Sequence, residues 1–380
     1  MAKVRANPAI LKWARETLNI SIEEVAHSLK RDPSVIASWE SGRSQPTYVQ
    51  LEKLAHTIYR RPVAVFFFPE PPAEVELRES FRTLPEFEIK QLRPSVLKLV
   101  RRAKAIQIEL GELFPAGPQT SRNIVSAVSV PPKSTASETA GALRDCLEVS
   151  LQSQLGWRSR EEAFSHWREA LESVGVFVFK GAFRQDEISG FCLYDVRFPL
   201  IYVNNSLAWS RQIFTLFHEL SHLLFRTGGI DKVRDDYVEQ LRPADRRVER
   251  FCNDLAAALL VPDEDFDRRI EGMVTDEREM THLADMYSVS REVILRKLFD
   301  RGMVSQSDYD RLSSEWIGEA RRFRGRSRTG DYYATQRTYF SSRYVDAALG
   351  AYYRSTIDIH RLADLLGMKV DTAREFEARL

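Results

Sequence analysis

The sequence predicts a multi-domain, mainly α chain: an all-α helix-turn-helix bundle at the N-terminus and, beyond a helical connection, an α+β domain. Three observations lead there. Four short segments of helical period, several opened by capping residues, fill residues 10–58. Three runs rich in Val, Ile, Phe and Tyr crowd into residues 176–204. Between them, Pro69-Glu70-Pro71-Pro72 and Pro115-Ala116-Gly117-Pro118 interrupt the helical pattern. A length of 380 residues suits two or three such domains.

The first helix carries its apolar stripe at Ile10, Leu11, Ala14 and Leu18. Ser21-Ile22-Glu23-Glu24 is a capping box and opens a second helix bearing Val25, Ala26 and Leu29. Asp32-Pro33 supplies an N-cap and an N1 proline for a third, which runs through Val35, Ile36 and Trp39 to a stop at Gly42. A fourth passes through Leu51, Leu54, Ala55 and Ile58. Two short helices joined by a three- or four-residue turn in a bundle make a helix-turn-helix, which assigns residues 1–70 to that domain. The Asp32 helix exposes Ser34, Ala37 and Ser38 and lacks the Arg, Asn or Gln that contacts bases in pairs of bonds, so weak sequence readout is expected. Lys30, Arg31 and Arg43 flank it as phosphate contacts and, with Ser34 and Ser38, form the candidate DNA-binding set; Arg60 and Arg61 add charge farther along. The same bundle could instead serve protein contact or dimerisation.

Residues 71–135 read as a helical linker. Leu97, Leu99, Val100, Ala103, Ile106 and Leu110 space out one long helix from Leu92 to Phe114, with Arg101, Arg102 and Lys104 on a solvated side. From Ser121 to Ser137 no helical period survives, so a loop is expected. Residues 136–305 form the α+β domain, with helices from Glu138 to Leu147 and Arg160 to Val174, then strands at Val176–Lys180, Gly190–Asp195 and Leu200–Asn204. Leu283 to Leu298 and Leu362 to Leu380 look like further helix-turn-helix fragments but are read as helices packing on that domain. Residues 306–380 are a helical region of unknown role, and nothing from Asp331 to Tyr353 suggests chemistry.

The chemistry concentrates at His218-Glu219-Leu220-Ser221-His222, an HExxH motif inside the apolar stretch Ile213 to Phe225. On a helix, positions i and i+4 share a face about 6 Å apart, so two imidazoles can grip one metal ion with Glu219 beside the open side. Two histidines and a carboxylate sunk in such a helix cost several kcal/mol (roughly) unless something pairs them. A metal provides that pairing; two hydrogen-bonded core histidines are the alternative. A catalytic zinc takes a third protein ligand and leaves a fourth position open. Glu249 is the best candidate, at the start of a mostly buried helical segment from Val248 that Pro262 ends. Asn253, four residues on, could orient a neighbouring ligand. Glu249 could alternatively be a solvated first-turn carboxylate favoured by the helix dipole. Asp245, Asp254 and His282 are the fallback ligands, and Cys252, on a different face from Glu249, is read as packing.

These residues resemble the ImmA/IrrE metallo-endopeptidases. The similarity spans Phe214 to Leu224, Glu249 to Asn253, and Ala256 to Pro262 ending in Leu-Leu-Val-Pro, with matches at Glu187-Ile188-Ser189-Gly190-Phe191, Pro199 to Asn204 and Tyr287 to Ser290. The resemblance implies a zincin-like fold with a small antiparallel sheet before the HExxH helix. It also implies one Zn2+ held by His218, His222 and Glu249, Glu219 as general base, and a repressor protein as substrate. Trp39-Glu40-Ser41-Gly42-Arg43-Ser44-Gln45-Pro46 resembles the Xre and lambda-repressor-like family, which implies the Asp32 helix in the major groove of DNA. Phe81-Arg82-Thr83-Leu84-Pro85 and the helix after it resemble longer members that join an Xre module to the peptidase. No residue is singled out by spacing as the oxyanion partner.

Fifty-five basic residues against 54 acidic leave +1, so any nucleic-acid footprint is local rather than a global field. Three cysteines without a CxxC suit a reducing compartment, and with no apolar run of 18 residues and no signal-peptide pattern, the cytoplasm and no membrane are expected. Three functions follow: an endopeptidase that cleaves a repressor or antitoxin, with the Xre module directing it to DNA or substrate; an Xre-family transcriptional regulator whose zinc is structural or sensory; and an antitoxin-like partner protein. A homodimer is compatible with each.

Overall fold

The computed structural model describes residues 5–72, 81, 89–117, 123–128, 130–131, 134–232, 238–323 and 338–379. They fall into two compact units, one from Met1–Glu79 with Leu84–Arg102, the other from Ser80–Thr83 with Ala103–Leu380.

In the first unit, Asn7 caps α1 (Pro8–Glu16), and the reciprocal Ser21–Glu24 capping box forms ahead of α2 (Ile22–Leu29). Lys30 ends α2 in the left-handed region, Asp32 caps α3 (Pro33–Glu40), and only three residues separate the two helices. A second capping box, Thr47 with Gln50, opens α4 (Tyr48–Glu52), which runs on as a π-helical stretch Lys53–Tyr59. Ile10, Ala14, Val25, Ile36, Trp39 and Leu51 meet in the core. Arg15 and Glu40 fasten α1 to α3 through two parallel bonds of 2.7 and 2.9 Å. The helix-turn-helix bundle expected from the capping pattern is present. Of the candidate contacts, Lys30, Arg31, Ser34 and Arg43 are exposed, while Ser38 is half-buried. The Ser34 hydroxyl donates to Asp32, and the Ser38 hydroxyl lies between Val35 O and Ser44 Oγ. Both serines are engaged locally.

Helix α5 (Pro94–Leu113) realises the long predicted helix. In the second unit, residues 123–128 hold a short helix α6 (Ile124–Ala127) where a loop was expected, because Asn123 caps a single turn whose Ile124 and Val125 are buried. Helices α7 (Ala136–Leu147), α8 (Leu151–Leu155) and α9 (Arg160–Ser173) precede strands β1 (Phe177–Gly181), β2 (Ile188–Leu193) and β3 (Leu200–Asn204). Then come α10 (Trp209–Leu224), β4 (Gly229–Lys232), α11 (Pro243–Leu260), α12 (Asp263–Ile270), α13 (Glu277–Met286), α14 (Arg291–Asp300), α15 (Gln306–Phe323), α16 (Ser342–Tyr353), α17 (Ile359–Leu365) and α18 (Val370–Ala378).

The sheet has the order β1-β3-β2-β4 and is mixed, not antiparallel: β1 runs parallel to β3, and β2 pairs antiparallel with β3 and β4. The chain between β1 and β3 passes through β2, so β1 and β3 can run the same way. Every residue of β1, β2 and β3 is buried, because both faces are covered. On one face Val178, Cys192, Ile201 and Val203 join the core built on α10 and α11. On the other, Phe179, Tyr202 and Phe191 stack across three strands at 5.4 and 5.2 Å. Tyr344 of α16 closes edge-on over Phe179, and its hydroxyl contacts Glu109 and Leu365 O. Buried Met280, Leu283, Ile294 and Leu298 belong to the main core, so α13 and α14 pack on the domain as read.

Candidate metal centre

Helix α10 is buried almost throughout, Thr215 to Leu224 without a break, because it lies between the sheet and α11. On it His218 and His222 turn their Nε2 atoms to within 3.2 Å of each other. Glu249 faces them from α11, with a carboxylate oxygen 3.5 Å from each Nε2. Among the described residues these three form the one group placed to hold an ion, all within 4.8 Å and all buried. Helix α11 begins at Pro243, five residues before the predicted start. Glu249 therefore sits well inside the helix at 2% exposure, and the solvated first-turn alternative does not hold. Asp245, Asp254 and His282 lie outside the cluster. Cys252 is fully buried, and burial, then the nearby Glu249, Glu219 and Asp231 carboxylates, push its thiol up, which suits packing.

Around the cluster the polar groups are arranged one by one. Asn253 Oδ1 is 2.9 Å from His218 Nδ1; accepting that N–H leaves the Nε2 lone pair for the cluster. Glu219 is completely buried: its Oε1 accepts the Asp231 N–H at 2.9 Å, its Oε2 has no nitrogen or oxygen partner, and the Cys192 thiol lies against the carboxylate. Burial raises the Glu219 pKa, against the pull of His222 and His218. Burial lowers that of His218, but Asp231 and the hydrogen-bonded Glu249 outweigh it and carry it up to about 10. Burial also raises Glu249, yet His222 and His218 bring it well below the usual carboxylate range. The centre thus attracts positive charge, and two imidazole nitrogens with a carboxylate are the donor set a zinc-like cation takes. The residues fit such an ion.

Strand β4 was not expected from the sequence, yet it finishes this site. Gly229 lies so close to His222 that a Cβ there would stand 2.4 Å from the ring. Asp231 accepts from Thr215 and Arg211 at 2.8 Å each, and Gly229 N–H donates to the Cys192 thiol sulfur at 3.2 Å. A cavity of about 980 Å3 is lined by Phe214 and Asn253, both beside His218, and by Arg250, Asp254, Arg296 and Tyr309.

Residues 171–299 match the family described as the IrrE N-terminal-like domain, a peptidase M78 family. Residues 11–58 match the family described as helix-turn-helix. The chain joins an Xre-type helix-turn-helix module to an ImmA/IrrE-type domain. No curated protein matches it. The IrrE-like match contains all of His218, Glu219, His222, Glu249 and Asn253, and the helix-turn-helix match contains Lys30, Arg31, Ser34, Ser38 and Arg43. No helix among the described residues is long and apolar enough to cross a membrane.

Proposed function

We propose that the protein is a zinc-dependent endopeptidase that cleaves a transcriptional repressor or antitoxin-type protein, with its helix-turn-helix module bringing the activity to DNA or to the substrate. The observation that carries this reading is Glu219: one oxygen is held by a main-chain N–H while the other is buried beside His218 and His222 without a nitrogen or oxygen partner. A structural metal site has its ligands closed and no use for such a carboxylate. His218, His222 and Glu249 would hold one zinc ion, with Asn253 fixing the His218 ring. The chemistry supplied by that ion is polarisation of the scissile carbonyl and activation of water near neutral pH. Glu219 takes the attacking water's proton at Oε2 and delivers it to the leaving amine. Its raised pKa, from burial, suits a group that must both accept and release a proton.

Two features suit a protein substrate. Among the described residues β1 and β4 are the sheet's outer strands, and β4 is the one that touches the site, so an extended peptide could add to it by main-chain bonds. The cavity lined by Phe214 and Asn253, neighbours of His218, is where side chains of such a peptide could lodge, although none of the cluster residues lines it. Exposed Lys30, Arg31 and Arg43 would meet DNA phosphates, and the two engaged serines leave little base readout. The testing experiment compares wild type with Glu219→Gln on a candidate repressor encoded nearby, with zinc measured in both. Equal zinc and cleavage by the wild type alone supports the peptidase. Cleavage by neither, with specific DNA binding intact, establishes instead the Xre-family regulator with a structural or sensory zinc.

A further inference from the structure

We infer that Arg211, Thr215 and Asp231 form a clamp that positions Glu219, a role that rests on the peptidase reading above. Asp231 is 1% exposed; its Oδ1 accepts from Arg211 and its Oδ2 from the Thr215 hydroxyl, both at 2.8 Å. Arg211 is held in turn, donating to Ser189 Oγ at 2.9 Å and to Lys232 O at 2.6 Å. Arg211, Thr215 and Glu219 follow at four-residue spacing along one face of α10. The first two grip the side chain of Asp231, and the third accepts its main-chain N–H at 2.9 Å. One residue of β4 is therefore fixed through its carboxylate at the same place where its backbone holds Oε1 of Glu219. That leaves Oε2 as the oxygen available for chemistry.

Strand β2 is shaped to the same end. Its register against β4 shifts between Ile188 and Gly190, opposite Lys232 and Asp231, which inserts Ser189 as a bulge. In a regular strand neighbours point to opposite faces. Here both Ser189 and Gly190 meet α10: Ser189 Oγ accepts from Arg211, and a Cβ on Gly190 would stand 2.5 Å from Thr215 Cγ2. The bulge supplies a hydroxyl for the arginine, and the glycine lets the threonine close on the sheet. A clamp serving only to join strand and helix would not need its central residue to spend its N–H on Glu219. A general base tolerates misplacement of only about 0.5 Å, and an error of about 1 Å costs on the order of 10²-fold in rate.

The test uses the full chain loaded with cobalt(II), whose visible bands report on the groups around the metal. Glu219→Gln is expected to shift the bands. Asp231→Asn should shift them the same way at equal cobalt stoichiometry, and the double variant should add nothing to Glu219→Gln alone. Wild-type bands in Asp231→Asn beside shifted bands in Glu219→Gln, or shifts that add, overturn the clamp and leave the peptidase reading standing. No cobalt binding by the wild type, or no shift in Glu219→Gln, overturns the peptidase reading and the clamp with it. Should Asp231→Asn fail to fold, Thr215→Val removes one hold on Asp231 while keeping side-chain shape; a smaller shift in the same direction supports the clamp and an unchanged spectrum overturns it. On a cleaved substrate, kcat should fall by on the order of 10²-fold with KM unchanged. A raised KM at unchanged kcat overturns the role.

Discussion

Gly229→Ala tests how the candidate metal centre is built without touching a proposed ligand. The Cβ it adds would stand 2.4 Å from Cδ2 of His222, 2.6 Å from Cγ and 2.9 Å from Nε2. Carbon atoms in contact rest at about 3.5–4.0 Å, so ring and strand must part by about 1 Å. Strand β4 cannot easily give way, because Asp231 is anchored two residues on by Arg211 and Thr215. His222 moves instead, and metal–ligand distances are held to within about 0.2 Å. Displacing the support of a ligand typically costs about 10–100-fold in metal affinity. Zinc affinity should therefore fall by at least that range, or about 1.4–2.7 kcal/mol. Competition against a chromophoric chelator measures it. Gly141→Ala is the control: an added Cβ there meets nothing within 4 Å, so affinity should not change. A zinc affinity in Gly229→Ala equal to that of the control would refute the packing argument, and with it the claim that β4 sets the position of His222.

Other outcomes follow from single observations. Lys180 is 6% exposed, with Nζ over Trp209 at 4.0 Å and over Phe164 at 4.6 Å, and burial followed by the Arg168 charge lowers its pKa to about 7. Between that value and the ordinary 10.5 the unfolded chain holds a proton that the folded one has shed, so stability should rise with pH across the window by a few kcal/mol (roughly), less what the rings return; Lys180→Met should flatten the urea midpoint against pH, and an unchanged slope would exclude the assignment. Glu40→Ala strands Arg15, whose side chain is 12% exposed, and should cost the first unit about 2–4 kcal/mol, read as faster hydrogen exchange in α1 and α3; unaltered protection there would contradict it. Replacing Lys30, Arg31 and Arg43 together with alanine should reduce the slope of log affinity for DNA against log salt by about 2–3 without changing sequence preference; an unchanged slope would remove them from the interface.

How far the fold was legible varied with the length of each signal. Capping residues made α2 and α3 readable, since Ser21-Glu24 and Asp32-Pro33 carry their own geometry, while α1 was read from its apolar stripe. Strands β1, β2 and β3 were visible as apolar runs, but those runs are buried on both faces and so hold no alternation from which pairing or direction could be read. The antiparallel arrangement was expected from the family resemblance alone, and nothing in the runs themselves could correct it. The start of α11 was hidden by Asp245, Arg246 and Arg247, polar residues in a helix whose apolar period begins only later.

The same reasoning separates the proposed ligands from what holds them. His218 and His222 are readable because both lie on one helix at fixed spacing, and Glu249 with Asn253 repeats that spacing on the next. Arg211 and Thr215 were in view on the HExxH helix, but their partner Asp231 was not. It belongs to the four-residue strand Gly229–Lys232, too short for a period and preceded by Gly228. Its contribution to Glu219 is a backbone N–H, which every residue but proline possesses and no side chain advertises. What a motif can encode is the set of atoms that would touch the metal. The orientation of the proposed base depends on a contact between elements, and such a contact becomes readable only when the strand is laid against the helix.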